Sequence, residues 1–269
     1  TSTDREGPKM TDTDDLLWSE DNGVGVITLN RPKARNALTF AMYEAIRDIC
    51  ETAAGNQALR AVIITGSGDK AFAAGTDISS FRDFSKPQDA LDYEARIDKV
   101  LAALEAVPVP TIAAISGACT GGGAAIASCC DLRIGARDMR FGFPIARTLG
   151  NCLSNNNLAR LSAMLGAHRV KEIIFTSRLI EADEALTLGL VSEQHDDKQA
   201  VLARAHELAE TLKGHAPLTM RATKQALRRL RVGHDGDDHD LIVQCYMSED
   251  FREGMEAFLA KRKPEWKGK

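Results

Sequence analysis

The run Gly121-Gly122-Gly123, set directly before the small apolar stretch Ala124–Cys129, constrains this chain more than any other segment. Glycines in that number permit a tight turn and let another backbone, or a ligand, approach closely. The run belongs to a pattern. Val24–Leu29, Ala61–Thr65, Thr111–Ile115 and Asp131–Gly135 read as short strands. Between them lie helical stretches from Thr39, a capping residue, to about Thr52, and from Pro87 to Ala106. Strand, glycine-rich turn, helix and strand thus recur at least twice before residue 140. From about Leu158 onward the sequence reads as helical, apart from one short strand expected near Gly189–Glu193. That order predicts an α/β core followed by a helical region. No low-complexity linker divides them, so residues 16–200 form the core and 201–269 a C-terminal helical region of the same domain. Residues 1–15 are polar and acidic and read as a disordered leader.

Composition excludes several classes. A net charge of −4 gives no electropositive face for nucleic acid. The basic group Lys261, Arg262, Lys263, Lys267 and Lys269 reads as a solvated tail. No apolar run reaches membrane-spanning length, and the N-terminal residues hold no signal-peptide core. The six cysteines show neither metal spacing nor a disulfide framework, which fits a reducing cytoplasm. No metal site is expected.

Two segments carry the chemistry. Lys70–Ile78 and Ile115–Ala125 each place small residues before an expected helix, where free N–H groups and the helix dipole favour negative charge. Two such amides from separate turns can hold one oxyanion, as for the enolate of a thioester. The alternative is that the glycines serve only turns and packing, and composition does not choose between the two. Neither segment is a dinucleotide fingerprint or a phosphate-binding loop, since the G-x-G-x-x-G spacing and the Gly-Lys-Ser/Thr ending are missing.

The motifs together resemble the crotonase (enoyl-CoA hydratase/isomerase) superfamily. Phe72-Ala73-Ala74-Gly75-Thr76-Asp77 is similar to that family's F-A-A-G-A-D, and Gly117 with Gly121–Gly123 to its G-x-x-x-G-G-G turn. Leu29–Leu38 resembles L-N-R-P-x-x-x-N-A-L, and Arg252–Phe258 matches R-E-G-x-x-A-F. The likeness runs from about residue 15 to 265. It implies a spiral of ββα repeats with a C-terminal helical trimerisation region, and a homotrimer or a hexamer built as a dimer of trimers. It further implies an acyl-CoA thioester as ligand, with no cofactor beyond that CoA moiety. The oxyanion hole carries over as the backbone N–H of Thr76 and of Gly122. The CoA path would follow Lys33, Ala34 and Ala37, with Ala74, Asp77 and Ile78 beside the pantetheine, and Phe258 and Lys261 of the last helix within reach.

Both glutamates that family hydratases use as acid and base are absent. Their positions hold Ala125 and Ile145, neither of which transfers a proton. Each such group typically contributes ~10²–10⁴-fold, so ordinary hydration is not expected of this chain. Between Glu105 and Glu172 the only carboxylates are Asp131 and Asp138, both with structural readings. Arg147, Asn151 and Asn155 are the polar candidates for the acyl pocket. Three readings stay open: a decarboxylase-like or other non-hydratase enzyme with Arg147 orienting a departing carboxylate; a hydratase or isomerase drawing its acid from residues 77–94; and a CoA-binding protein without turnover. Within residues 77–94 the nearest carboxylates are Asp83 and Glu94, and helix surface is the ordinary place for both.

Overall fold

In the computed structural model, which describes residues 14–82, 84–233 and 237–269, two sheets grow from one repeating unit. The chain opens with β1 (Leu16–Asp21), β2 (Val24–Leu29) and helix α1 (Phe40–Ala53). A strand of the first sheet, a strand of the second and a helix then follow in turn. These units are β3 (Ala61–Gly66), β4 (Ala71–Ala74) and α2 (Pro87–Ala106); β5 (Thr111–Ile115), β6 (Ala118–Thr120) and α3 (Gly122–Cys129); and β7 (Leu132–Ala136), β8 (Arg140–Gly142) and α4 (Ile145–Thr148). The remainder holds α5 (Asn155–Thr176), β9 (Ile180–Glu181), α6 (Ala182–Thr187), β10 (Glu193–His195), α7 (Lys198–Lys213), α8 (Pro217–Arg231), α9 (His239–Tyr246) and α10 (Glu249–Leu259). This is the expected α/β spiral of ββα repeats followed by helices.

The six-stranded sheet runs β1-β2-β3-β5-β7-β10, antiparallel only between β1 and β2. The four-stranded sheet runs β4-β6-β8-β9. Every residue of β3 is buried, because both faces of the parallel sheet are covered. Ala61 and Ile63 face Val201, Ala205 and Ala209 of α7, while Val62 and Ile64 enter the main core with α1 and α2.

Three expectations change. The strand expected at Gly189–Glu193 is shifted to Glu193–His195. Leu190 and Val191 N–H still donate to Ala185 O, so those residues close α6 instead of entering the sheet. The second sheet was not expected as such, because its strands are two to four residues long and carry no readable alternation. The leader stops short of its expected end: Asn30 N–H donates to Asp15 O and its side-chain amide to Asp14 O, both at 2.7 Å. Residues 1–13 lie outside the described residues.

A buried ion network joins the helical region to the core. Arg160 of α5 makes a bidentate pair with Glu105 of α2 at 2.7 and 2.8 Å, and Arg231 of α8 reaches the same carboxylate at 2.6 Å. Burial works against the charge on Glu105, yet the hydrogen bond from Arg160 and the charges of Arg160 and Arg231 prevail and hold it below the usual carboxylate range. The side chains of Arg160 and Glu105 are only 6% and 14% exposed. Arg160→Ala should therefore cost about 2–3 kcal/mol in urea denaturation, since it removes a bidentate charged partner and leaves the buried carboxylate to Arg231 alone. Arg137→Ala, which breaks an exposed pair with Asp196, should cost less than about 1 kcal/mol.

Candidate active site

The site is assembled from three backbone segments, and the first is anchored by a buried amide. Asn36, fully buried and at φ 55°, accepts from Arg31 N–H at 2.9 Å. Its side-chain amide donates to Ser67 O at 2.9 Å and to Ala71 O at 2.8 Å. That ties the segment after β2 to the loop between β3 and β4. Two residues on, Leu38 N–H donates to Gly75 O at 2.8 Å and Leu38 O accepts from Asp77 N–H at 2.9 Å. These two bonds bracket Thr76, whose own N–H has no protein acceptor among the described residues.

The second amide comes from the glycine run. Gly121 N–H donates to Gly142 O at 3.0 Å, and Gly121 then takes φ 52° and ψ −118°, a conformation that L side chains rarely adopt. That twist starts α3 at Gly122. The first intrahelical bond runs from Ala125 N–H to Gly121 O, so Gly122 N–H is left free at the helix start. A Cβ on Gly122 would lie 2.1 Å from the Tyr43 hydroxyl oxygen and 3.1 Å from Thr76 Oγ1. No side chain fits there.

Thr76 does not open a full helix as expected. Asp77 Oδ1 accepts from Ser79 N–H at 3.1 Å and caps a single 3-10 turn, Ile78–Phe81. Of the two glycine-rich turns, the one at Gly121–Gly123 therefore leads directly into an α-helix, α3, among the described residues.

Behind the amides, the Thr76 hydroxyl lies 2.9 Å from the Tyr43 hydroxyl and 3.2 Å from that of Tyr93. Burial above all, then the neighbouring Tyr93, drives the Tyr43 hydroxyl far above its ordinary pKa, so it stays protonated. Burial raises Tyr93 too. A cavity of about 200 Å³ opens in front of this cluster. Thr76, Gly121 and Gly122 form one part of its wall, and Ile97, Ala125, Phe143, Ile145 and Leu149 supply an apolar part.

Ala74 and Ile78 line this cavity, as do Ala125, Ile145 and Asn151. Other expected residues do not. Asp77 pairs with Arg31 at 3.0 Å, which together with its bonds to Ser79 explains its lowered pKa, and it is absent from the lining. Lys33 and Ala34 are exposed in a 3-10 turn outside the lining, and Ala37 is also outside it, its carbonyl accepting from Arg31. Arg147 is exposed in α4 and Asn155 begins α5 on the exposed side; neither reaches the wall, where Asn157 stands instead. Phe258 is 82% exposed on α10, and neither it nor Lys261 lines the cavity. Asp131 and Asp138 are structural, accepting from Thr111 and from Gly117 N–H. Cys119 and Cys129 are buried with thiols pushed well above their ordinary pKa by burial, unlike a nucleophile. Cys152 does line the wall.

Tyr43 and Tyr93 are site residues that the sequence reading does not name; Glu94, one of the two carboxylates expected within residues 77–94, lines the cavity instead of lying on open helix surface, and the other, Asp83, lies outside the described residues. The available signal was placement: Tyr43 and Tyr93 sit on core-facing helix stripes, where a tyrosine hydroxyl needs a partner. A larger cleft of about 340 Å³, lined by Arg60, His215, Arg221 and Lys267 among others, includes neither of the glycine-rich turns in its lining.

Two amide donors over a partly apolar cavity, carried on a ββα spiral, are the arrangement of a backbone oxyanion site. The profile of the family "Enoyl-CoA hydratase/isomerase" matches residues 19–269. A short-chain-enoyl-CoA hydratase of Clostridium acetobutylicum is 34% identical over 254 residues, covering 93% of this chain and 96% of that protein. A crotonyl-CoA hydratase of Syntrophomonas wolfei is 33% identical over the same length, with the same shares of the two chains. Among solved structures, an enoyl-CoA hydratase/carnithine racemase from Magnetospirillum magneticum superposes with a TM-score of 0.88 at 32% identity, covering 96% of this chain and 97% of that one. This chain belongs to the enoyl-CoA hydratase/isomerase family, within the crotonase superfamily.

The Thr76 hydroxyl makes the cluster testable. Thr76→Val should cost about 1–3 kcal/mol in urea denaturation, because it leaves the buried Tyr43 hydroxyl without its partner, and Tyr43→Phe should cost less, because the Thr76 hydroxyl keeps Tyr93. The double variant should cost clearly less than the sum, which a double-mutant cycle reads directly.

Proposed function

We propose that the chain is an acyl-CoA thioester enzyme that holds a thioester enolate on the N–H groups of Thr76 and Gly122 and does not work as an ordinary hydratase. The observation that carries this is the pair of unpartnered amides facing one cavity. Two such donors stabilise negative charge where it develops on the thioester oxygen, a contribution of roughly 3–4 kcal/mol for one donor in other enzymes. The acyl chain lies against Ala125, Phe143 and Ile145. The relatives named as hydratases support acyl-CoA as the ligand class.

Hydration requires one group to activate water and one to deliver a proton to the α-carbon. The two positions that resemblance assigns to those groups hold Ala125 and Ile145, and both side chains sit in the cavity wall. The decarboxylase-like reading loses its cation, because Arg147 is not in that wall. Incubation with crotonyl-CoA should give loss of the enoyl absorbance at least ~10²-fold slower than an efficient hydratase. The double variant Ala125→Glu, Ile145→Glu should raise that rate. A wild-type rate equal to that of efficient hydratases would sink the proposal, and absence of acyl-CoA binding by calorimetry would sink the ligand class.

A homotrimer, or two trimers stacked as a hexamer, accompanies this reading. It is supported by large exposed apolar side chains on the last three helices, including Leu230, Val243, Tyr246, Phe258 and Leu259. Light scattering should give three or six times the mass of one chain, and a monomer would rule it out. A reducing compartment is supported by six cysteines that are all free thiols, four of them buried.

A further inference from the structure

We propose that Glu94 is the proton-transfer group of this site: it takes the proton from the α-carbon of the bound thioester and returns it, in place of the carboxylates missing at Ala125 and Ile145. This rests on the thioester reading above and names the group which that reading leaves open.

Glu94 is the one Asp or Glu among the described residues that line the cavity. Its position on α2 is unusual for a carboxylate. It precedes Ile97 by three residues and Leu101 by seven, and both are core side chains, 5% and 1% exposed. Positions i, i+3 and i+7 share one helix face, so Glu94 stands on the apolar stripe that packs inward. A surface glutamate has no reason to be there.

The other carboxylates of α2 are all occupied. Asp89 accepts from Ser85 N–H and Lys86 N–H at the helix start, and Asp92 accepts from Gln88 at 2.7 Å. Asp98 accepts from Ser154 at 2.8 Å and from Asn156 at 3.0 Å, and Glu105 holds two arginines. Glu94 has neither a hydrogen bond nor an ion pair among the described residues. A half-buried carboxylate left without a donor is costly to keep charged, and such groups gather at functional sites.

The groups that face it are also mapped. Tyr43 comes from α1 and Tyr93 from α2 itself, while Asn151, Cys152 and Asn157 come from the segment after α4 and the start of α5. No Lys, Arg or His among the described residues shares the wall. Burial first, and then the charge of Asp98 one turn along α2, raise the Glu94 pKa above the ordinary carboxylate range. A raised pKa makes the carboxylate a stronger base and the acid a usable donor nearer neutrality.

The step balances without a co-reactant. The Glu94 carboxylate takes the α-proton, so the C–H bond breaks and an O–H bond forms. The electron pair moves into the bond between the α-carbon and the carbonyl carbon, and charge builds on the thioester oxygen, against the N–H groups of Thr76 and Gly122. The same carboxylic acid then gives the proton back to the ligand. A lone carboxylate suits a reaction in which the proton returns within the same acyl chain, in contrast to addition of water, which uses two.

The test does not require the natural substrate. The full-length protein is mixed with butyryl-CoA in D₂O, and loss of the C2 proton signal is followed by NMR while calorimetry measures binding. The wild type should exchange above the buffer rate, rising with pH through a pKa above the ordinary glutamate value. Glu94→Gln should bind butyryl-CoA within about threefold of wild type yet exchange at least ~10²-fold more slowly, with no such pH step. Exchange at the wild-type rate in Glu94→Gln, or a wild type that binds and does not exchange, overturns the assignment. A wild type that does not bind sinks the thioester reading, and this proposal with it. If Glu94→Gln also loses binding, Glu94→Asp decides: recovered exchange supports the role, and intact binding without exchange overturns it.

Discussion

The site depends on two backbone amides that the fold leaves unpaired while pairing everything around them. Leu38 takes up Gly75 O and Asp77 N–H and so skips Thr76, and Gly121 spends its own N–H on Gly142 before α3 begins. A buried amide without a partner is normally costly, so each is tolerated only because it opens on a cavity that a ligand or water can fill. The rest follows from holding those segments in place. Asn36 clamps one of them through its buried side chain, and the β6–β8 pairing carries Gly142 to Gly121. The Gly122 Cα packs against Tyr43 and Thr76 so closely that a methyl group would not fit.

The hydroxyl cluster of Tyr43, Thr76 and Tyr93 gives these amides a rigid backing. Tyr43 is 1% exposed, and its hydroxyl is satisfied only through Thr76, which ties α1 to the segment after β4. Tyr93 reaches the same oxygen from α2 and packs its ring on Phe81 at 4.9 Å and Phe40 at 5.9 Å. The threonine thus does more than replace a common alanine: its hydroxyl joins three elements around the two free amides. Two helices meet there, and α2 brings Glu94, next to Tyr93, to the wall of the same cavity.

Much of this was legible before any coordinates. The strands and helices of the core, the cap at Thr39 and the two glycine-rich turns all announce themselves, because each rests on neighbours in sequence: periodicity, a capping hydroxyl, small residues in a row. The short strands β4, β6 and β8 do not, since three or four residues cannot show an alternation and acquire strand geometry only from their partners. The polar acyl-pocket candidates Arg147 and Asn155 fall outside the cavity wall, and the residues expected along the CoA path, Lys33, Ala34, Ala37 and Asp77, lie beyond it. Sequence proximity to a motif says nothing of which way a side chain points.

By itself the sequence determined the repeat of strand, turn and helix, the family, and the alanine and isoleucine at positions 125 and 145. These are properties of residue type and order, and no packing alters them. Only the tertiary structure decided which groups share the cavity. Glu94 lies 31 residues from Ala125 along the chain and reads locally as one charge among many on an amphipathic helix. It becomes the carboxylate of the site because the buried stripe of α2 turns it inward, onto the wall of a cavity to which α3 also contributes.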